Sequence, residues 1–220
     1  MHSDLLKASS ITNNIYVSGY FPLEERPQLL KELGIKYILS CVDRDTIASV
    51  HDAVLFANPD VTIMYLPYND TIEQNLWMPN SNNQVQIVRY APSTETYSQL
   101  KQLMDLYQNK PMIEVGYHFM SRALRSDQKI LVHCMAGISR SVSLAAYYLM
   151  KSRNMDYAEA FSLVRKNRPI ANPNYAFRLQ LLEYQDKRER FNKSDADACV
   201  SKALQYKRAR LLSKRRRVFE

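Results

Sequence analysis

A cysteine, a glycine and an arginine fall close together in His133-Cys134-Met135-Ala136-Gly137-Ile138-Ser139-Arg140-Ser141. Just before them, residues 129–133 form an almost continuously apolar run, Lys-Ile-Leu-Val-His. Just after them, Val142, Ala145, Ala146 and Leu149 recur at the spacing of one helical face. The loop therefore turns a buried strand into a helix. In that position successive backbone N–H groups aim inward as an anion-binding nest, and the helix adds its positive N-terminal end. A phosphate dianion suits such a nest. Gly137 permits a tight turn without a side chain in the cradle, and Arg140 offers two parallel donors to two phosphate oxygens, a fork that lysine lacks.

Cys134 opens the loop, at the focus of these donors, where a thiolate nucleophile is favoured. It would attack phosphorus in line and form a phosphocysteine, dividing one hard hydrolysis into two easier transfers. His133 is expected to orient the loop by hydrogen bonding, and Ser141 to stabilise the departing thiolate. Met135, Ala136, Gly137, Ile138 and Ser139 would bind phosphate through the backbone, beside the Arg140 side chain. The leaving group needs a proton, and Asp70, at the end of an apolar run in Leu66-Pro67-Tyr68-Asn69-Asp70-Thr71, is placed to give it. Asp43 and Asp45 remain alternatives for that acid. The scheme requires no metal and no other cofactor, because Arg140 and the amides neutralise the charge. Two plainer readings stand beside it: His133 as a hydrogen-bonded core histidine, and Ser139 as a partner of loop amides only. Cys41, inside a strand-like run, reads as a small buried hydrophobe.

The elements that must hold these groups are legible as patterns. Residues 14–19, 35–42 and 61–66 read as strands, and the run at 129–133 suits a central parallel strand covered on both faces. Amphipathic helices are expected at 157–167 and 175–190, separated by the two prolines of Arg168-Pro169-Ile170-Ala171-Asn172-Pro173. The fold class is α/β: a central, mostly parallel twisted sheet flanked by helices, with a basic C-terminal tail. Residues 78–111 read as an insertion, Asn-rich at the start and with a helix over 95–107.

Composition bounds the rest. The 220 residues suit one catalytic domain, at 10–186, preceded by a segment at 1–9 and followed by a tail at 187–220. With no apolar stretch long enough for a membrane helix and no secretory lead, an intracellular address is expected, cytoplasmic and, through the tail, nuclear. Three widely spaced cysteines exclude a disulfide framework and a zinc site. The tail carries 12 basic and 4 acidic side chains, which is the whole net charge of +8. Its Lys214-Arg215-Arg216-Arg217 reads as a nuclear import patch or a polyanion site for nucleic acid or acidic membrane, and the bland alternative is a solvated helix over 203–212.

The run from His133 to Ser141 resembles the signature loop of the dual-specificity protein phosphatases, within the cysteine-based tyrosine phosphatase superfamily. The resemblance extends over most of residues 10–185. It includes Asn14-Ile15-Tyr16-Val17-Ser18-Gly19, Asn69-Asp70, the helix at 141–151, and Arg168-Pro169 followed by Asn172-Pro173-Asn174-Tyr175-Ala176-Phe177. It implies a cysteine-phosphatase fold and hydrolysis of phosphotyrosine, phosphoserine and phosphothreonine in phosphorylated protein substrates. It also implies that Asn174 buttresses the loop. The chain departs from the family at 78–111 and in its tail. An RNA 5′-phosphatase or a phosphoinositide phosphatase on the same scaffold is the alternative, disfavoured by the uncharged Met135, Ala136 and Ile138. A catalytically weak scaffold that binds phosphoproteins is disfavoured by Cys134, Arg140 and Asp70 occurring together. The oligomeric state stays open.

Overall fold

The computed structural model describes residues 3–81 and 84–216. Arg217, the last residue of the basic patch, lies outside the described residues.

The sheet has the order β1-β2-β6-β3-β4-β5. Its four middle strands, β2 (Ile15–Ser18), β6 (Lys129–His133), β3 (Ile35–Ser40) and β4 (Thr62–Tyr65), are parallel to one another. The edges, β1 (Ser9–Ser10) and β5 (Gln86–Arg89), run antiparallel. Helices cover both faces, so β6 has no wet side and Ile130, Leu131 and Val132 are fully buried. This is why the run at 129–133 shows no alternation. In register, Ser18 and Ser40 stand on either side of His133, so three strand ends converge where the Cys134 loop begins.

On one face α5 (Met112–Arg125) and α6 (Arg140–Ser152) lie against the sheet, with α7 (Tyr157–Asn167) and α8 (Tyr175–Asp186) packed on α6. Gly116 lets α5 come close: a Cβ there would stand 2.8 Å from the Leu144 side chain. On the other face are α1 (Phe21–Glu25), α2 (Leu29–Leu33) and α3 (Arg44–Ala57). Asp43 caps α3 by accepting from the Thr46 amide at 2.8 Å.

Residues 78–111 contain a strand that periodicity did not reveal, because Gln-Ile-Val-Arg is only four residues long and follows a polar stretch. β5 pairs with β4 from Tyr65↔Gln86 to Thr62↔Arg89, so the segment extends the sheet. Its two ends meet, the Asn80 amide donating to Lys110 and the Asn109 amide to Asn80, both at 2.8 Å. Between them α4 (Thr94–Leu106) buries no residue.

The helix of the tail is longer than its apolar positions indicate. α9 (Lys193–Arg216) starts ten residues before the expected helix because Asn192 and Asp195 cap it reciprocally: the Asn192 side chain accepts from the Ser194 amide and Asp195 accepts from the Asn192 amide. Ala196, Cys199 and Ala203 form a buried seam, and α9 packs along α8. Trp77 packs against Tyr147, Tyr184 and Phe191, tying the segment after Asp70 to α6, α8 and the start of α9.

Candidate active site

The loop after β6 is held from outside through its carbonyls. Those of Met135, Ala136, Gly137 and Ile138 accept in turn from the Tyr20 amide (3.1 Å), Arg168 Nη2 (3.0 Å), Arg168 Nε and the Asn172 amide (2.8 Å). In a planar trans peptide the N–H points opposite to the C=O. Four consecutive outward carbonyls therefore turn the amides of Ala136, Gly137, Ile138 and Ser139 to the inner side. The Gly137 amide reaches Cys134 Sγ at 3.2 Å, and Ser141 Oγ stands 3.3 Å from the same sulfur. Gly137 has φ +67°, and a Cβ on it would stand 2.3 Å from the Ser18 backbone and 2.4 Å from that of Gly19. No other residue fits there. Gly19 is also constrained, since a Cβ there would meet the Met135 carbonyl at 2.8 Å.

Arg168, which the sequence presents as part of a helix break, has a buried role that its spacing does not show. Its guanidinium is fully buried and bonds, besides the two loop carbonyls, the carbonyls of Asp4 (3.1 Å) and Lys7 (3.2 Å) and the Ser9 hydroxyl (3.2 Å). It clamps the N-terminal segment, β1 and the loop together. An arginine between a helix end and Pro169 carries no periodicity signal, so only the resemblance points to it in the sequence.

Arg140 leaves the first turn of α6 with Nη1 bound to the carbonyls of Tyr68 (3.1 Å) and Cys41 (3.4 Å). Its Nε is buried without a hydrogen-bond partner, 3.8 Å from Asp70 Oδ2. Asp70 stands over the loop, not apart from it: its Oδ1 accepts from Ser139 Oγ at 2.6 Å and from Asn174 Nδ2 at 3.0 Å. Asn174 caps α8 by accepting from the Phe177 amide, and its own amide donates to Ser139 Oγ at 3.1 Å. Asn174 thus touches both the loop and the segment carrying Asp70. Cys41 is buried at the end of β3, and Asp43 and Asp45 belong to the start of α3.

His133 lies in a chain of polar groups that sequence spacing had no means to show. His133 Nδ1 is 3.4 Å from the Cys134 carbonyl, its Nε2 is 3.0 Å from His51 Nε2, and His51 Nδ1 is 2.9 Å from the Tyr65 hydroxyl. Burial pushes the His51 imidazole down to about 2, helped by His133, and pushes His133 down to about 4 against the opposing bond to Cys134. Both rings are therefore neutral when folded. Unfolded, each titrates near 6.5, so the unfolded chain takes up protons first as pH falls. Stability is complete above about pH 6.5 and is lost towards about pH 4 for His133, and further for His51. Between pH 7.5 and pH 5 the expected loss is about 2 kcal/mol per histidine. Urea midpoints at the two pH values measure it, and a slope unchanged by His51→Gln contradicts it.

The chain matches known proteins along most of its length. The family described as dual specificity phosphatase, catalytic domain, matches residues 15–187. "Putative tyrosine-protein phosphatase R622" of Acanthamoeba polyphaga mimivirus is 50% identical over 210 residues, which cover 96% of this chain and 98% of that protein. "Tyrosine-protein phosphatase yvh1" of Schizosaccharomyces pombe is 30% identical over 176 residues, 80% of this chain but 41% of its own length. "Dual specificity protein phosphatase 16" of Homo sapiens is 42% identical over 77 residues, 35% of this chain and 12% of that protein. Among solved structures, that of "human tyrosine phosphatase-like serine/threonine/tyrosine-interacting protein" superposes with a TM-score of 0.57 at 22% identity, over 83% of this chain and 98% of that one. At that identity the likeness speaks for the fold alone.

Proposed function

The chain belongs to the dual specificity phosphatase family and is a protein phosphatase, and from that premise we propose that Cys134 is its nucleophile, Arg140 its phosphate clamp and Asp70 its general acid. In this reading the Cys134 thiolate attacks phosphorus; an S–P bond forms as the P–O bond to the substrate breaks. Asp70 gives its proton to the departing oxygen, then takes one from the water that cleaves the S–P bond. Ser141, 3.3 Å from the sulfur, stabilises the returning thiolate. The observation that carries the reading is the inward face of the loop, where the Gly137 amide meets Cys134 Sγ beside a buried Arg140 Nε that has no hydrogen-bond partner. A phosphate oxygen supplies that partner.

Asn174, Ser139 and Arg168 position rather than react: the first two hold Asp70 over the loop, and the third fixes the loop from behind. The substrates are phosphotyrosine and phosphoserine or phosphothreonine in proteins. Support for both comes from an Asp70 held by side-chain contacts at the loop, which gives an alkoxide and a phenolate the same proton source. Initial rates on a phosphotyrosine peptide, a phosphoserine peptide, an RNA 5′-triphosphate and a phosphoinositide test this. Turnover of both peptides ahead of the other two is expected; a faster rate on RNA or lipid overturns the protein-directed reading.

A further inference from the structure

We propose that residues 207–216 of α9 form a basic arm beside the catalytic mouth, which selects phosphoproteins bearing acidic side chains near the phosphorylated residue. The proposal rests on the phosphatase reading above and names the substrate class it serves.

Contacts between α8 and α9, and the charge of Lys207 near Glu73, set where the arm starts. Tyr206 stacks on Tyr175 at 4.7 Å between ring centroids, and Tyr175 is the first residue of α8, next to the Asn174 that holds Asp70. Lys202 pairs with Glu183, and Lys187 with Asp195, so α9 runs antiparallel to α8 and returns towards the site. Glu73, three residues past Asp70, has its carboxyl lowered by bonds to its own amide and to Thr71 and, more weakly, by the charge of Lys207. The seam of Ala196, Cys199, Ala203 and Tyr206 thus ends where α8 begins. Ten helical residues continue past it, about 15 Å at 1.5 Å per residue.

Those ten residues carry six basic side chains and no acidic one, and residues 205–213 are all exposed. These residues carry six of the eight net positive charges of the chain, so most of the excess is concentrated on one projection by the acid-bearing segment. Its only large apolar residues, Leu211 and Leu212, are adjacent and face different directions on a helix, which makes no stripe for a membrane surface. Interleaved aromatic rings for stacking bases are absent from 207–216. An extended peptide covers about 3.3 Å per residue, so about five substrate residues lying along the arm would span its length. Acidic side chains there pair with Lys207, Arg208 and Arg210.

The test compares kcat/KM for two peptides with the same phosphotyrosine, one flanked by Asp and Glu and one by Ser and Gln. The full chain is expected to favour the acidic peptide by about tenfold at low salt and less at high salt. Replacing Lys207, Arg208 and Arg210 together by alanine, which keeps the helix, should reduce the preference to about twofold and leave hydrolysis of p-nitrophenyl phosphate unchanged. Equal rates on both peptides in the unaltered chain, or a preference that survives the triple substitution, overturn the proposal and leave the phosphatase reading standing. No turnover of any of the three substrates overturns that reading instead. Retention on RNA or on phosphatidylserine vesicles that is lost in the triple variant, without a peptide preference, assigns the arm to those polyanions and overturns the proposal.

A separate observation carries a second inference: the geometry points to His51 as a positioning residue for the catalytic loop. A carbonyl only accepts, so the contact of His133 Nδ1 with the Cys134 carbonyl requires the proton on Nδ1. A neutral His133 then has a bare Nε2, and His51 must donate to it from its own Nε2. His51 Nδ1 is bare in turn and accepts from the Tyr65 hydroxyl. Every donor in the chain points the same way, from β4 through α3 to the start of the loop, so His51 sets the tautomer by which His133 holds Cys134. Long-range ¹H–¹⁵N correlation of the histidine rings should show His133 protonated at Nδ1 in the unaltered chain; protonation at Nε2 overturns the inference. His51→Leu should lower kcat about tenfold with little change in KM. His51→Gln, which retains a donor and an acceptor, should restore most of that loss. Leu and Gln variants of equal kcat would refute it.

Discussion

Cys134→Ser lowers kcat by about 10⁵- to 10⁶-fold while binding of inorganic phosphate is kept or tightened. The size follows from what is exchanged. A reactive thiolate is replaced by a hydroxyl that no general base activates, and removal of a nucleophile from a covalent mechanism costs about that much. Binding should survive because the cradle is not made by the sulfur. The loop is held through four carbonyls by Tyr20, Arg168 and Asn172, and none of these contacts involves the side chain of residue 134. Arg140 keeps its bonds to Tyr68 and Cys41, so its Nε stays where it is. A neutral hydroxyl also removes the repulsion between an anionic sulfur and a phosphate dianion. Stopped-time hydrolysis of a phosphopeptide measures the first effect and titration calorimetry with phosphate the second. Near-normal turnover in this variant would remove Cys134 from the mechanism; loss of phosphate binding with the fold intact would mean that the sulfur helps to build the cradle.

The parts of the molecule legible in the sequence are those with local signatures. The run at 129–133 declares a covered strand because its apolar residues are consecutive, and α7 is legible at 157–167 because its apolar residues recur along one helical face. Glycine at 137 is legible as a turn, and the structure adds why it is obligatory: a Cβ there would stand 2.3 Å from the backbone of Ser18 at the end of β2. What the sequence leaves silent is tertiary. Arg168 and Gly137 are 31 residues apart, and His51 and His133 are 82 apart. No periodicity links such pairs; only the sheet order, which sets β6 between β2 and β3, brings them together. The same holds for the tail, whose charge is plain in the sequence but whose position beside Asn174 depends on the antiparallel return of α9 along α8.

Asp70→Asn should reduce kcat by about 10²- to 10⁴-fold on a phosphoserine peptide, the usual worth of a general acid, and by less on p-nitrophenyl phosphate, whose leaving group departs readily without a proton. Asparagine is the informative choice. Its carbonyl oxygen can still accept from Ser139 Oγ and Asn174 Nδ2, so the contact between loop and acid segment is kept while the transferable proton is lost. Asp70→Ala would break both contacts and mix positioning with chemistry. Asp43 provides the control, because both its oxygens serve the cap of α3, accepting from the Thr46 amide at 2.8 Å and the Thr46 hydroxyl at 2.7 Å. Asp43→Asn should therefore leave kcat nearly unchanged and cost stability instead, by about 1 kcal/mol. The diagnostic quantity is the dependence of rate on leaving-group basicity, which should steepen in Asp70→Asn and stay flat in Asp43→Asn. The opposite pattern would move the proton source from β4's end to the start of α3, and Asp70 would then be a strut between α8 and the loop.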